Sequence, residues 1–187
     1  MDKPYLIVIE GQDRTGKDTL INNLVEKYGL YRYKQGTHEQ SGVDYRNKEQ
    51  YEKWVYNHID KIYNDLLEIS KTNKIILLSR LWISDNVYSD LFGRNHIVEK
   101  YFKYKFKDKF NIKTFILLWE DFDNYKNRLL NINEDIEYEV DEFNKTIELY
   151  KKYGEEPDKF LIIENTTSKN NILNNFITNI LNHVERQ

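Results

Sequence analysis

A lysine that follows two spaced glycines near the N-terminus is well placed to bind phosphate. The spacing is Gly11-x4-Gly16-Lys17, directly after the apolar run at residues 5–10. Glycine lets a backbone approach an anion closely, and a helix that begins at such a loop directs its first amide groups and its dipole toward it. We therefore predict a phosphate-binding loop between a buried strand and an amphipathic helix, rather than an ordinary glycine turn with a stray lysine.

The residue after this lysine departs from the usual pattern. Loops of this spacing have Ser or Thr there, whose hydroxyl binds Mg²⁺, whereas this chain has Asp18 followed by Thr19. A carboxylate is also an oxygen ligand that Mg²⁺ accepts. Two hypotheses follow: Asp18 is itself a metal ligand, or its charge repels the phosphates and the chain binds nucleotides without catalysing their reaction.

A second group of polar residues follows the apolar run at residues 75–78. It consists of Ser79, Arg80, Ser84 and Tyr88. Ligands of α/β proteins bind beyond the carboxyl ends of the parallel strands, and both the glycine loop and Ser79 come at the end of a strand-like run. The two groups are therefore expected to contribute to one site.

The elements that must position these residues alternate along the chain. Apolar runs predict strands at residues 5–10, 75–79, 114–119 and 160–163, and a weaker one at 31–34. Apolar residues recur at helical spacing at residues 20–28, 51–69, 136–150 and 172–184. Alternation of strands and helices predicts an α/β fold with a parallel central sheet.

Length and composition limit the class of protein. The chain has 187 residues, no cysteine and a formal charge of −3. We predict one domain over residues 1–187, with no disulfide or thiolate metal site and no basic face for nucleic acid. No apolar stretch is long enough to cross a membrane, so we expect a cytoplasmic protein whose partners are small molecules.

Residues 10–19 resemble the phosphate-binding loop of thymidylate kinases, whose pattern is Glu-Gly-x-Asp-x-x-Gly-Lys-Ser/Thr-Thr. Residues 79–88 are similar to a second motif of that family, in which Asp-Arg is followed by Ser and then an aromatic residue. Arg80, Ser84 and Tyr88 match this motif without a gap, whereas Ser79 replaces the family's Asp. Specific matches are confined to these two stretches, and the altered metal ligands suggest a divergent, virus-encoded member.

The resemblance implies a P-loop NTPase three-layer fold, with a five-stranded parallel sheet, helices on both faces and a short lid at about residues 128–140. It also implies a deoxynucleoside monophosphate kinase, which transfers a phosphoryl group from ATP to dTMP or a related deoxynucleotide with the help of Mg²⁺. Family members are commonly homodimers, so the resemblance suggests a homodimer as well.

The same resemblance assigns catalytic roles to Lys17, Arg14, Arg80 and Asp13. Arg14 would stabilise the phosphoryl group in transit, Asp13 would face the sugar of the acceptor, and Arg80 would bind the acceptor's phosphate. The ATP phosphates would contact Gly11, Thr15, Gly16, Lys17, Asp18, Thr19 and Arg128. An alternative for Asp13 and Arg14 is a solvated ion pair on a turn.

The acceptor nucleotide would contact Asp13, Arg80, Ser84 and Tyr88. Its base would lie on a helix near residues 50–60, where the family has a stacking aromatic residue and a polar residue. Trp54 and His58 have i, i+4 spacing and share a face there. Tyr51 or Val55 are alternatives for that place. Trp54 and Tyr88 are also open to interpretation as ordinary core residues.

The stretch expected to form the lid is poor in cations. No Lys or Arg lies between Arg128 and Lys145. Family members with an arginine in the phosphate loop tend to lack catalytic basic residues in the lid, so this gap agrees with a catalytic Arg14. Arg128 would contact the donor nucleotide or stabilise a helix end. Arg94 lies near the position where the family has a glycine-rich segment ending in Arg.

The two departures from the family pattern are complementary. The family pairs a hydroxyl after the loop lysine with a carboxylate at the end of the later strand, and this chain has Asp18 and Ser79 in the reverse order. We therefore hypothesise that Asp18 and Ser79 together bind Mg²⁺, as a pair of ligands that have exchanged places.

Two other functions are alternatives. A deoxynucleoside kinase needs a general base for its hydroxyl acceptor, and Glu39 is a candidate, although it lacks the Glu-Pro context of that class. A catalytically degenerate nucleotide-binding protein would need no base at all. Because a phosphate acceptor is already a nucleophile, the lack of a clear base favours the monophosphate kinase.

Overall fold

The structure, a computed structural model, describes residues 3–36, 39–44, 46–131, 136, 139–155, 159–162, 174–175, 177–179 and 181–182. The strands within these residues are β1 at Tyr5–Gly11, β2 at Tyr31–Tyr33, β3 at Ile75–Ser79, β4 at Asn111–Leu117 and β5 at Lys159–Ile162. The α-helices are α1 at Lys17–Tyr28, α2 at Lys48–Ile69, α3 at Trp82–Phe92, α4 at Ile97–Tyr101, α5 at Lys107–Lys109, α6 at Phe122–Asn131 and α7 at Val140–Gly154. A short 3₁₀ helix covers Glu39–Ser41, and a π-helical turn covers Phe102–Phe106.

The strands form one parallel sheet in the order β2-β3-β1-β4-β5. β1 lies at its centre, with Ile9 opposite both Ser79 of β3 and Phe115 of β4. This register brings the carboxyl ends of three strands to the same edge, so the loop after Gly11 lies beside the segment that follows Ser79. The predicted α/β fold with a parallel sheet is confirmed.

The largest difference in strand bounds concerns β4. Apolar residues predicted a strand at 114–119, but pairing begins at Asn111, opposite Tyr5, and ends at Leu117. Backbone hydrogen bonds to β1 hold the polar residues Asn111 and Lys113 in the sheet, because ladder pairing does not require apolar side chains at every position. Of the two apolar residues after Leu117, Leu118 is buried in the core and Trp119 bonds the loop that follows β1.

Helices cover both faces of the sheet. On one face, Ile7, Ile9, Leu77 and Phe115 pack against α1 through a buried cluster that includes Leu20. On the other face, a larger cluster joins the sheet to α2, α3, α4 and the π-helical turn. Its buried sheet residues are Leu6, Val8, Ile76, Leu78 and Ile116. Side chains of a strand alternate between faces, so this arrangement gives the sheet an apolar core on each side.

Helix α3 does not correspond to any of the stretches in which apolar residues recur at helical spacing. Its residues are buried on nearly every side, including the polar Ser84, Asp85, Asn86 and Ser89. A helix surrounded by protein shows no polar face, so its sequence lacks the periodicity by which helices are predicted. The helix that positions the second motif could therefore not be predicted from the spacing of apolar residues.

The last two helices predicted from apolar spacing, at residues 136–150 and 172–184, agree with the structure to different extents. The third stripe was predicted from Ile136, but Ile136 lies outside a helix and is 41% exposed, and α7 begins at Val140. In the fourth, the described residues 174–175, 177–179 and 181–182 are helical, and Ile177 is buried against the face that α1 covers. The predicted positions Ile172 and Val184 lie outside the described residues. None of the helices described is both long enough and apolar enough to span a bilayer.

Candidate functional site

The loop between β1 and α1 has the backbone that its glycines predict. Gly16 is the N-cap of α1 with φ 84°, and Gly11 has φ 130°. A Cβ added at Gly11 would lie 1.9 Å from the carbonyl oxygen of Leu117. Gly11 is therefore required by the close approach of β4, and Gly16 by the left-handed turn that starts the helix.

Lys17 is buried under this loop and bonded to it. Its Nζ donates to the carbonyl oxygen of Gln12 and, at 3.4 Å, to Oγ1 of Thr15. The Thr15 hydroxyl in turn donates to the same Gln12 carbonyl at 2.9 Å. Burial, and then the charge of Arg80, lower the pKa of Lys17 to about 7. An anion in the loop would favour the charged form of the Lys17 amine. This coupling between the charge of the lysine and anion binding is expected of a phosphate site.

Two side chains that the sequence did not single out hold this loop in place. Gln12 is fully buried; its Oε1 accepts from the amide of Trp119 at 3.2 Å, and its Nε2 donates to the carbonyl of Phe143 at 3.4 Å. The indole of Trp119 donates to the carbonyl of Asp13 at 3.1 Å. The loop is thereby tied to the end of β4 and to α7.

Asp13, Arg80 and Tyr88, each assigned to the acceptor site, lie together. The Arg80 guanidinium donates to Oδ1 of Asp13, and the Tyr88 hydroxyl donates to its Oδ2 at 3.1 Å. The Arg80 guanidinium carbon lies 5.7 Å from the centre of the Tyr88 ring. About a third of the side chain of Asp13 and of Arg80 is exposed, 32% and 31%. This group, the Asp13–Arg80–Tyr88 cluster, is accessible to a ligand beside the loop.

The backbone is strained at one residue next to the cluster, Arg14, and at one residue within it, Arg80. Arg14, which is exposed on the loop, has φ 61°, and Arg80 has φ 60°, values that non-glycine residues seldom adopt. Gln35 holds Arg80 in this conformation, because its Nε2 donates to the carbonyls of Ser79 at 2.7 Å and Arg80 at 3.1 Å. The Arg80 amide donates to the carbonyl of Ile9 at 2.9 Å. Such strain is found at functional sites. The role of Gln35 was not predicted from the sequence.

Ser84 has a supporting position rather than an exposed one. It is buried, and its hydroxyl bonds Glu10 and, at 2.9 Å, the hydroxyl of Tyr150. Glu10 is fully buried and accepts from the amides of Leu81, Ile83 and Ser84 at 2.9, 3.1 and 3.1 Å. Burial raises the pKa of Glu10, and these hydrogen bonds oppose the shift. The Glu10 carboxylate therefore binds the N-terminus of α3 and fixes the helix that carries Tyr88.

Asp18 lies on the exposed side of α1 and pairs with Arg32 of β2. Its carboxylate oxygen Oδ1 accepts from Nη2 of Arg32, and its side chain is 70% exposed. Ser79 ends β3 on the face where Ile75 and Leu77 pack against α1. Arg32 is paired in register with Leu77, so Arg32 and Ser79 lie on the same face as α1. The sequence did not predict the pairing with Arg32.

The oxygen atoms of Asp18 and Ser79 suit a hard cation such as Mg²⁺. Among the residues that the structure describes, Oδ2 of Asp18 accepts no hydrogen bond, and no cluster of three His, Cys, Asp or Glu side chains could hold a metal. A cation here would have one carboxylate and one hydroxyl from the chain, and would complete its shell with phosphates and water. By chemical type, these two donors are compatible with Mg²⁺ bound together with a nucleotide.

The predicted base-binding residues contact one another. The rings of Trp54 and His58 are stacked, with centres 4.3 Å apart and an angle of 18° between planes. The indole of Trp54 donates to the Ser41 hydroxyl at 3.2 Å. The two alternatives are poorly placed, because Val55 is in the core and the hydroxyl of Tyr51 donates to buried Asp85 at 2.7 Å.

The remaining predicted residues lie at three separate places. Arg94 is buried with its guanidinium 3.7 Å from the centre of the Tyr51 ring. Arg128 is exposed in the last turn of α6, and Thr19 is exposed near the start of α1. The predicted lid at 128–140 falls partly outside the described residues, which lack 132–135, 137 and 138.

No family model matches the sequence, and no curated protein sequence matches it significantly. Solved structures do share its fold. The YorR protein of Bacillus subtilis, in complex with phosphorylated GDP, is 18% identical over 95% of this chain and 97% of its own, with a TM-score of 0.63. Deoxyadenosine kinase from M. mycoides with bound dATP is 14% identical over 93% and 99%, with a TM-score of 0.62.

Thymidylate kinase from Candida albicans is 15% identical over 97% of this chain and 94% of its own, with a TM-score of 0.60. At these identities the likeness concerns the fold alone, and it extends along nearly the whole chain. This protein has the α/β fold that nucleotide and nucleoside kinases of these kinds share.

Proposed function

We propose that this protein is an ATP- and Mg²⁺-dependent deoxynucleoside monophosphate kinase that acts on dTMP or a related deoxynucleotide. The observation that carries the proposal is the position of the Asp13–Arg80–Tyr88 cluster beside the loop that contains Lys17. A kinase must hold a donor phosphate and an acceptor side by side, and this edge of the sheet offers a cationic group for each. Positioning and charge neutralisation are the main requirements of phosphoryl transfer.

The donor phosphates would lie over the loop. The amides that follow Gly11 and begin α1, together with the Lys17 amine, form an anion site of the kind found at helix N-termini. Lys17 would leave the Gln12 carbonyl and contact the phosphates, regaining its charge as it does so. Arg14, exposed on the loop, would stabilise the group in transit, and Arg128 would contact the donor.

The acceptor phosphate would be bound by Arg80. A guanidinium matches a phosphate with two parallel hydrogen bonds, and Asp13 holds the Arg80 side chain in the site until the ligand arrives. Tyr88 would lie against the sugar. The stacked pair Trp54 and His58 would contact the base, with the indole anchored by Ser41.

Mg²⁺ would be held by Asp18 and Ser79, through Oδ2 of the carboxylate and the serine hydroxyl. When bound, the metal neutralises charge on the donor phosphates. The chain's own contribution is to keep a carboxylate at the start of α1 and a hydroxyl at the end of β3, on the same face of the sheet.

A deoxynucleoside kinase is the second candidate, and one observation favours it. Asp13 is a partly exposed carboxylate at the acceptor side, where a base for a hydroxyl acceptor would be needed. Its oxygens accept hydrogen bonds from Arg80 and from Tyr88, and the ion pair with Arg80 stabilises the carboxylate and so makes Asp13 a weaker base. A phosphate acceptor requires no base.

The test is a panel of deoxynucleoside monophosphates and deoxynucleosides, each with ATP and Mg²⁺, read out as ADP formation. We expect turnover with at least one monophosphate, at a kcat/KM well above that with its nucleoside. Turnover confined to nucleosides would establish the second candidate. ATP binding without turnover of any acceptor would indicate a nucleotide-binding protein without catalysis.

A further inference from the structure

We propose that Arg32 is a positioning and charge-balancing residue of the phosphate site, which acts through Asp18. The inference rests on the proposed function in so far as both require a nucleotide's phosphates at the loop. It explains how a phosphate-binding loop can carry a carboxylate in the position directly after its lysine.

Arg32 reaches from β2 across the edge of the sheet to two residues of α1. Its Nη2 donates to Oδ1 of Asp18, and its Nη1 donates to Oδ1 of Asn22 at 2.6 Å. Asp18 and Asn22 are four residues apart and therefore lie on one face of the helix. The Arg32 side chain is only 18% exposed, whereas that of Asp18 is 70% exposed. The arginine is thus held by the protein, and the carboxylate it holds faces outward.

The buried part of Arg32 indicates that its two outer nitrogens determine its position. Its Nε is buried and has no hydrogen-bond partner in the part of the chain that the structure describes. Burying a donor without a partner costs free energy. Arg32 leaves Nε without a partner within the described part of the chain, while Nη1 and Nη2 both donate hydrogen bonds. Its guanidinium is therefore oriented by Asp18 and Asn22.

Charge is the first reason for the pair. Asp18 directly follows Lys17, so an unpaired carboxylate there would repel the phosphates that the loop binds. The guanidinium at hydrogen-bonding distance offsets that charge, and the pair as a whole presents little net charge to the ligand. The phosphates then experience the positive charges of Lys17 and the helix N-terminus.

Orientation is the second reason. Arg32 bonds Oδ1 of Asp18 and leaves Oδ2 without a partner among the described residues, so the carboxylate is fixed with one oxygen available to a cation. Residues that hydrogen-bond a metal ligand in this way fix its direction and raise the metal affinity of the site. By orienting Asp18, Arg32 would therefore support Mg²⁺ binding although it cannot be a ligand itself, and we expect this effect to outweigh the repulsion between its charge and the cation.

The experiment measures binding of a non-hydrolysable ATP analogue by the full chain, first with EDTA and then with Mg²⁺. In EDTA, Arg32→Gln should weaken binding about tenfold, because it exposes the phosphates to the uncompensated Asp18 charge. Asp18→Asn should bind in EDTA at least as well as wild type, and the double variant should recover to within about threefold of wild type.

Metal binding gives a second readout that does not depend on turnover. In the presence of the analogue, electron paramagnetic resonance of Mn²⁺ should show about tenfold weaker metal binding in both Asp18→Asn and Arg32→Gln. Asn22→Ala is the matched control, because it removes the other hydrogen bond of Arg32 and leaves Asp18 untouched. It should lower the melting temperature by no more than Arg32→Gln does and, because the bond from Arg32 to Asp18 remains, leave nucleotide and Mn²⁺ affinities near wild type.

Two results would overturn the inference or its basis, and a third would shift the test to other variants. If Arg32→Gln is folded and binds nucleotide and Mn²⁺ like wild type, Arg32 only ties β2 to α1. If Arg32→Gln does not fold, Arg32→Lys, which keeps the charge, takes its place in the same measurements. The Asp18→Asn result then still decides whether the carboxylate repels the nucleotide and binds the metal. If wild type itself does not bind the analogue, the proposed function fails, which is distinguishable because it appears before any variant is compared.

Discussion

Arg80 donates a hydrogen bond to Asp13, although the two residues are 67 positions apart in sequence. One belongs to the loop after β1 and the other to the turn after β3, and the register of the sheet brings the two strand ends together. Tyr88, nearly two turns into α3, completes the group by bonding the second oxygen of Asp13 at 3.1 Å. The proposed acceptor site is therefore assembled by the central pair of strands.

Replacement of Arg80 should affect the acceptor much more than the donor. Arg80→Gln is expected to lower kcat/KM for the monophosphate by about 10²–10³-fold, because it removes a cation that would bind the acceptor phosphate. The KM for ATP should change little. Steady-state kinetics with each substrate varied in turn measures both. Lys100→Gln, which removes an exposed cation from α4, is the charge-matched control, and an equal effect of both variants would contradict the role of Arg80.

Lys17 should make nucleotide binding depend on pH. Burial lowers the pKa of its amine to about 7, so the free protein increasingly holds the neutral amine as the pH rises above that value. Bound phosphates favour the charged form. Binding should therefore take up a proton, and affinity should fall by at most about tenfold per pH unit above neutrality. Calorimetric titration in buffers of different ionisation enthalpy measures the proton uptake.

The control for that prediction is Lys17→Arg, whose side chain stays charged throughout the range. Its proton uptake should be smaller than that of wild type under the same conditions, and the difference isolates Lys17 from the ionisation of the nucleotide. Identical proton uptake in the two proteins would show that the Lys17 amine is already charged when the site is empty.

Ser84 should support the fold of the site rather than bind the acceptor. Ser84→Ala removes a buried hydroxyl that bonds Glu10 and Tyr150, and is expected to lower the free energy of unfolding by about 1–3 kcal/mol. The KM for the acceptor should remain within about threefold of wild type. Urea denaturation and acceptor kinetics measure the two effects. Ser89→Ala, which changes another buried serine of α3, is the matched control, because the Ser89 hydroxyl donates one long hydrogen bond, of 3.4 Å, to the Asn95 carbonyl.

Exchange of the two proposed metal ligands tests them as a pair. Asp18→Ser and Ser79→Asp should each reduce Mg²⁺-dependent turnover by about tenfold or more, and the double variant should recover much of the loss, because it restores one carboxylate and one hydroxyl. Turnover as a function of Mg²⁺ concentration gives the measurement. Single variants that lose little activity, or a double variant that recovers none, would show that Asp18 and Ser79 do not share a metal.

Asp85 should add a pH-dependent contribution to stability. Burial raises the pKa of its carboxyl from 3.8 to about 6, and hydrogen bonds from the Tyr51 hydroxyl and the Val98 amide oppose this shift. Between these two values the folded protein binds a proton that the unfolded chain does not. The free energy of unfolding of wild type, relative to Asp85→Asn, should therefore fall by about 1.4 kcal/mol per pH unit as the pH rises through this window.

Urea denaturation of both proteins at several pH values measures that difference. Asp123→Asn, which removes an exposed carboxylate from the first turn of α6, controls for the loss of one charge. A constant difference between wild type and Asp85→Asn across the window would show that Asp85 has an ordinary pKa in the folded protein.

Features that depend on neighbouring residues could be predicted from the sequence. The spacing Gly11-x4-Gly16-Lys17 after an apolar run predicted the loop, and the structure places Gly16 at the start of α1 with Lys17 buried beneath the loop. Strand–helix alternation predicted the parallel sheet, since each strand and its helix are specified by local periodicity. The resemblance of residues 79–88 to the second motif likewise assigned Arg80 and Tyr88 to one site, and the structure brings both of them to Asp13.

Tertiary structure alone decided which groups meet. Glu10 caps a helix 71–74 positions later, Gln35 holds the carbonyls of Ser79 and Arg80, and Arg32 pairs with Asp18. Each pair joins two separate segments of the chain, and the pairing follows from strand order and register, which no local pattern specifies. A buried polar group must find its partner wherever the folded chain provides one, so these contacts exist only once the sheet has brought distant segments together.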